Sequence, residues 1–240
     1  MLSAFYNFVF YKPLYNGLVF LIDKIPFHDF GFAVIALTLI VRVVLFPLGH
    51  KSAIAQRKIK EINPEIEKVK SKLKDKKEEQ AKEIMALYKK HGINPFSSFL
   101  MVLVQIPVLI TIFLILRNGI SFDAGILYSF IEVPAQINTH FLGFFDMLKP
   151  SYFFAILAGL SQFFQIKLSM PSLKGINKGS KSFKDQLQKS LNVQMKYIMP
   201  IFVIFISLRF SAALPLYWTT SNIFAILHEI IVRKEAQKIK

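Results

Sequence analysis

The chain has 240 residues, 53% hydrophobic and 14% aromatic, with 30 Lys+Arg against 15 Asp+Glu and no cysteine. That balance is too apolar for a typical nucleic-acid-binding protein and too basic for an ordinary soluble enzyme, and it favours a membrane protein. Without cysteine there is no disulfide framework, no thiol chemistry, no Cys-ligated zinc and no lipidation through Cys.

The N-terminus shows neither the basic start nor the small-residue cleavage site of a signal peptide, so it is expected to belong to the working chain. Through residues 1–30, Lys12, Asn16 and Asp23 recur along one face. Phe8, Leu14, Leu18, Val19 and Ile22 cover the others, and Pro13 interrupts the run. This is the pattern of an amphipathic helix lying in the outer membrane interface. The alternative is a sixth span, which would put the N-terminus inside.

Five stretches have the roughly 17 to 25 apolar residues that cross about 30 Å of hydrocarbon: 31–49, 96–117, 150–169, 196–212 and 214–232. A buried helix of a soluble protein is the competing reading of any one of them and a poor reading of five. The first contains Arg42 in "ALTLIVRVVLFPLGHK". On the insertion scale a mid-helix arginine costs about 2.5 to 3.5 kcal/mol, while each Leu, Ile, Val or Phe returns roughly 0.3 to 0.6, so the span still inserts. Arg42 stands about seven residues, roughly 10 Å, from the end of the span at Gly49, so snorkelling to the inner interface competes with a functional role.

Residues 50–95 are highly charged, yet Ile59, Ile62, Ile66, Val69 and Leu73 are spaced 3, 4, 3, 4, and Ala81, Ile84, Leu87 and Tyr88 form a second stripe. Two antiparallel helices could cover each other there, giving a mobile helical hairpin with a thin core. Asn63-Pro64 and Asn94-Pro95 read as helix starts, the second opening the 96–117 span. The segment 118–149 is a loop, 170–195 a second basic loop, and 233–240 a basic tail. The region around Ser211 to Pro215 reads as a tight turn between the last two spans, with Pro215 where its missing N–H costs little.

Charge sets the orientation. Residues 50–92 hold thirteen Lys/Arg, 171–196 six and the stretch after Val232 four, whereas 118–150 holds only Lys149. The three basic segments are therefore expected in the cytoplasm, which with five spans puts the N-terminus outside and the C-terminus inside. The same bias accounts for the net charge without nucleic acid.

The polar residues at membrane depth are Thr38 and Arg42 in the first span, Gln105 and Thr111 in the second, Gln162 and Gln165 in the third, and Thr219, Thr220, Ser221 and Asn222 in the fifth. Each alone is most simply an interhelical hydrogen bond, but the set together with Arg42 points to a wet cavity. No Asp or Glu lies mid-span, so a proton-coupled carrier has no carboxylate to use. His228-Glu229 is not HExxH, and neither a phosphate loop nor a nucleophile elbow occurs. An enzyme is not expected, nor a cofactor or metal. A cation in an apolar-walled cavity is suited to hold an acidic guest for a time.

Four blocks now carry a resemblance: "LTLIVRVVLFPLGHKSAIAQRKIKEINPEI" (37–66), "LYKKHGINPFSSFLMVLVQIPVLITIF" (87–113), "FFDMLKPSYFFAILAGLSQFFQ" (144–165) and "LYWTTSNIFAIL" (216–227). In order and spacing they resemble the YidC/Oxa family of membrane protein insertases. The resemblance implies an all-α integral membrane protein of the bacterial plasma (inner) membrane, with five transmembrane helices bundled around a polar groove and a cytoplasmic helical hairpin, to which the residue pattern adds the N-terminal interfacial helix. It carries the groove's positive charge to Arg42, with Thr38 one turn away. It sets Gln105 and Gln162 at groove-lining polar positions and Trp218 at the aromatic of the last span, and Asn222 completes the candidate site. The implied partners are nascent membrane proteins, the lipid bilayer and the Sec translocon, ribosome or signal recognition particle machinery. A small ion channel or solute carrier is the alternative, for which neither an internal repeat nor an acidic partner of Arg42 is visible.

Overall fold

The computed structural model describes residues 2–117, 125–169, 190 and 193–238. The start of the expected 118–149 loop, nearly all of the 170–195 segment and the end of the 233–240 tail lie outside the described residues. The chain divides into two compact units, Met1–Val43 with Pro107–Glu229, and Val44–Ile106 with Ile230–Lys240.

In the first unit, α1 (Leu2–Tyr6) leads through a π-helical stretch, Asn7–Tyr11, into α2 (Lys12–Lys24), with Pro13 in the first turn of α2. Tyr15, Asn16, Leu18, Val19 and Ile22 are buried. Asn16 overturns one of the three positions that marked a solvated face. Its amide donates to the carbonyls of Lys12 (2.8 Å) and Ile126 (3.0 Å), and its Oδ1 accepts the Tyr128 N–H (2.7 Å). A buried amide must find partners, and this one finds them on the backbone of a loop 110 residues away.

After a turn at Pro26–His28, in which Phe27 (φ 64°) and His28 (φ 49°) are left-handed, α3 runs Phe30–Val44. Asp29 caps it, its Oδ1 accepting the Phe32 N–H at 3.1 Å. Asp29 also forms a parallel bridge with Asn138. A small antiparallel pair follows, β1 (His140–Phe141) and β2 (Phe145–Asp146), joined through Leu142 and Gly143, both at positive φ. Within the expected loop 118–149 this sheet is ordered structure that periodicity did not reveal. It is fastened to the last helix by the N–H groups of Ala212 and Ala213, which donate to the carbonyls of Lys149 (2.8 Å) and Met147 (3.2 Å).

Helix α7 (Phe96–Arg117) contains Pro107, four residues before Thr111, whose hydroxyl donates to the Pro107 carbonyl and is hydrogen-bonded to the Tyr6 hydroxyl, both at 2.8 Å. Helix α8 spans Tyr152–Ser169. A π-helical stretch, Gln194–Ile198, leads into α9 (Met199–Ser207), and α10 runs Ala213–Lys238. Gly159 lets α8 and α9 approach: a Cβ there would lie 2.9 Å from the Pro200 carbonyl oxygen and collide with the Ile204 side chain. Small residues at such crossings are how helices pack where lipid removes the hydrophobic drive.

By length and apolarity, Phe99–Arg117, with mean hydropathy 2.8, is able to cross a membrane, and Phe30–Val44 with Phe46–Glu61 meets the same test as a bent pair. The expected 31–49 stretch is therefore not one helix: it divides at Leu45, two residues before Pro47, which occupies the first turn of α4 (Phe46–Glu61).

The second unit contains α4, α5 (Asn63–Lys72) and α6 (Lys77–Lys90). The chain breaks at Ile62 (φ −89°, ψ 4°) and restarts at Asn63-Pro64. Ala55, Ile62, Ile66 and Ile93 form a buried cluster against which Ile59, Ile84, Leu87 and Tyr88 pack. Contacts run in opposite order along α5 and α6: Gln80 donates to the carbonyls of Lys70 (3.1 Å) and Leu73 (3.2 Å), while His91 Nε2 meets Glu65 at 3.4 Å. The pair is thus antiparallel, and Gln80 occupies two carbonyls at the end of α5 that the helix itself cannot satisfy.

Candidate functional site

On α3, apart from Gly31, the buried residues Phe30, Ala33, Val34, Leu37 and Thr38 fall at i, i+3, i+4, i+7 and i+8, one helical stripe, while Phe32, Leu39, Ile40, Val43 and Val44 are exposed on the rest. Arg42 stands one turn beyond Thr38 and continues the interior stripe. It is half-buried, and its side chain crosses to α10. There Nε–H donates to Ser221 Oγ at 2.9 Å, and Nη2–H donates to the same oxygen.

Next to Ser221, Asn222 turns to the third helix of the cluster, its Nδ2 donating to Ser161 Oγ of α8 at 3.1 Å while Ser161 donates to the Ala158 carbonyl at 2.9 Å. A polar ladder thus runs from α3 through α10 to α8 on Arg42, Ser221, Asn222 and Ser161. Ser161 and Ser221 are both buried, so each hydrogen bond is made where water competes little.

The other expected residues occupy different settings. Thr38 is 1% exposed and donates its hydroxyl to the Val34 carbonyl at 2.6 Å, so its proton is committed to its own helix, one turn from Arg42. Gln162 is half-buried on α8, next to Ser161. Trp218 is half-buried on α10, one turn before Asn222, as buried Tyr217 is one turn before Ser221. Gln105, half-buried on α7 two residues before Pro107, belongs to the second unit.

Ser221 and Ser161 are the residues that sequence reasoning undervalued. Ser221 was one of ten polar groups at membrane depth, with nothing in its spacing to mark it as the partner of Arg42. Ser161, next to Gln162, lies outside that set.

An arginine hydrogen-bonded to a buried serine hydroxyl inside helices that are otherwise apolar defines a helical integral membrane protein that keeps a charge among its helices. A family model described as 60Kd inner membrane protein matches residues 22–239. The chain is similar to proteins named Membrane protein insertase YidC: that of Clostridium tetani at 35% identity, covering 89% of this chain and 86% of that protein; that of Oceanobacillus iheyensis at 30%, covering 97% and 85%; and that of Fusobacterium nucleatum at 30%, covering 94% and 97%. The chain belongs to the 60Kd inner membrane protein family, the YidC/Oxa insertase family of the sequence resemblance, and is a bacterial inner-membrane protein with a membrane-spanning helix.

Proposed function

We propose that this protein is a membrane insertase and chaperone, which takes hydrophobic segments of newly made proteins from the cytosol into the bilayer. Its relatives, named membrane protein insertases, support that activity. The observation that carries the mechanism is Arg42, an interior cation hydrogen-bonded to the neutral hydroxyl of Ser221. In this reading five spans, built on α3 with the start of α4 and on α7, α8, α9 and α10, enclose a groove open to the cytosol and to lipid. The N-terminus is outside, the C-terminus is cytoplasmic, and the α5–α6 hairpin stands in the cytoplasm.

A client with a short outward-going tail enters the groove, its carboxylates pair for a time with Arg42, and its apolar helix leaves sideways into lipid. Transfer of apolar surface into hydrocarbon, about 25 cal/mol per Å², drives the step. No cofactor takes part. Gln162, Trp218 and Asn222 line the path, and Thr38 stands one turn from Arg42 on the same helical face. Nascent membrane proteins and lipid are the partners this mechanism requires, and the Sec translocon, ribosome and signal recognition particle machinery are partners it accommodates.

Reconstitution tests the reading. The purified chain alone in liposomes is expected to give protease protection of a newly made single-spanning client. Ion flux without any polypeptide, and no protection, would establish the channel or carrier instead. Orientation is read by cysteine labelling of this Cys-free chain: Ser71→Cys on exposed α5 is expected to react from the cytoplasmic side, and Gln136→Cys from outside. Labelling of position 71 from outside reverses the arrangement.

A further inference from the structure

A guanidinium has two chelating edges with which it can grip a carboxylate: the tip, formed by the two Nη groups, and the side formed by Nε and Nη2. In this protein the side edge closes on a single atom, Ser221 Oγ, which accepts from both Nε and Nη2. Those two bonds use both lone pairs of the hydroxyl. Ser221 is 3% exposed on α10, so it cannot follow a wandering side chain, and the Asn222–Ser161 bond on the next residue ties the same stretch of α10 to α8. Ser221 thus fixes the side edge of the Arg42 fork with an oxygen that carries no charge.

We propose that Ser221 is the positioning residue of the site, a neutral stand-in that keeps the arginine fork oriented until a client carboxylate replaces it on the same edge. This rests on the counter-charge reading of Arg42 and adds to it the identity of the group displaced. The neutrality of the hydroxyl is what makes it displaceable. The guanidinium is already charged, and a carboxylate adds to its hydrogen bonds the attraction of an opposite charge and a second oxygen for the edge, so an acidic tail outcompetes Ser221, whereas a carboxylate already fixed at this position would not yield. A hydroxyl therefore orients the arginine and still releases it.

Three variants test this in vesicles of phosphatidylethanolamine and phosphatidylglycerol, with one single-spanning client made in two forms, its tail carboxylates intact or changed to amides. Ser221→Asp places a resident carboxylate on the fork. It is expected to lower insertion of the acidic-tail client by about tenfold or more while the amide-tail client changes by less than about twofold, since the lost bond is a charged one. Ser221→Ala is expected to slow the acidic-tail client selectively, and Ser221→Thr, which restores the hydroxyl, to recover it. Extracted protein level and melting temperature are measured for each. If Ser221→Asp does not accumulate, the Ala and Thr pair decides.

Equal effects of Ser221→Asp on both clients overturn the proposal, as does Ser221→Thr behaving like Ser221→Ala at unchanged protein level. Arg42→Glu in the same assay separates the two readings. If it fails to distinguish the clients, the counter-charge mechanism itself has failed. If it distinguishes them and Ser221→Asp does not, only the role of Ser221 is lost.

Discussion

Around the Ala55, Ile62, Ile66 and Ile93 cluster the apolar side chains face inward, while Glu67, Lys68, Lys74 and Lys77 face out. Around Arg42 the arrangement reverses: Ser161 and Ser221 are inside, and Leu39, Ile40, Val43 and Val44 are on the surface. On the proposed topology the same chain solves the burial problem twice, for two different solvents. In water an apolar stripe is covered because exposing it costs about 25 cal/mol per Å². In hydrocarbon that drive vanishes between helices, and packing together with interior hydrogen bonds holds them. The hairpin core should accordingly fail when a polar atom enters it, and the first unit when its close approaches or interior charge are altered.

The largest effect on the fold as a whole, as distinct from a local loss, is expected at the α8–α9 crossing. Gly159→Leu has no room, because the nearest obstacle includes the Pro200 backbone oxygen and not merely a movable side chain. Overpacking of this kind costs about 1 to 3 kcal/mol or more, and the folded protein recovered in detergent should fall sharply, with Gly159→Ala less affected. A Gly159→Leu protein that melts like the wild type would show that the two helices are not held this close.

Next in size is the interior charge. Arg42→Glu turns attraction for an acidic tail into repulsion and is expected to cut insertion of such clients about tenfold, with amide-tail clients changed much less. Arg42→Lys keeps a cation but loses the planar fork, and is expected to retain much of the activity. A uniform loss across clients, accompanied by a lower protein level, would make Arg42 an anchoring residue of α3 and remove the contrast with the hairpin.

The hairpin gives the third. Ile66 is 3% exposed at the centre of its cluster. Ile66→Ser removes its apolar contacts and adds a hydroxyl, a local loss of about 2 to 5 kcal/mol. Hydrogen exchange should then lose protection in α5 and α6 while α3, α8 and α9 keep theirs, and insertion should slow without the protein disappearing. Loss of protection throughout would mean that the hairpin is part of the folding core.

How much of this could be read beforehand follows from what periodicity detects. The stripe Ile59, Ile62, Ile66 and the facing Ile84, Leu87, Tyr88 were legible because 3-4 spacing selects a helical face, and Asn63-Pro64 marked the restart. Ala55 and Ile93, which complete the cluster from α4 and from the residues after α6, were not, since spacing names a face and never the partner that covers it. Ala81 lies on the expected second stripe yet is exposed, because the cluster begins lower, at Ile84. Arg42 was conspicuous as a charge in an apolar run, but Ser221 lies 179 residues away and looks like any serine. Asn16 shows the opposite error: polarity on one face suggested solvent, and the side chain is a buried clamp on Ile126 and Tyr128.

The smallest expected effect lies at β2, where the comparison can be drawn on a single carboxylate outside the spans. Burial alone would push the Asp146 carboxyl up. The Leu148 N–H, which donates to Oδ1 at 3.0 Å, outweighs it together with the hydrogen bond and charge of Lys149 at 3.1 Å and with His140, and these hold Asp146 below its ordinary value. A depressed carboxyl stabilises the fold fully above its unfolded pKa, about 3.9, and that contribution is lost as pH falls through the lower folded value. Lys149 is 79% exposed, so solvent screens the ion pair and the hydrogen bond from Leu148 should carry most of the effect. Protection of the Leu148 amide from exchange, corrected for intrinsic rate, should therefore stay level from neutral pH down to the ordinary carboxylate range and drop only below it. Asp146→Asn keeps an oxygen acceptor and has no charge to lose, so its protection should be lower and flat over the same range. A drop of equal size in Asp146→Asn would assign the acid response to another group and leave Asp146 with a purely geometric role at the end of β2.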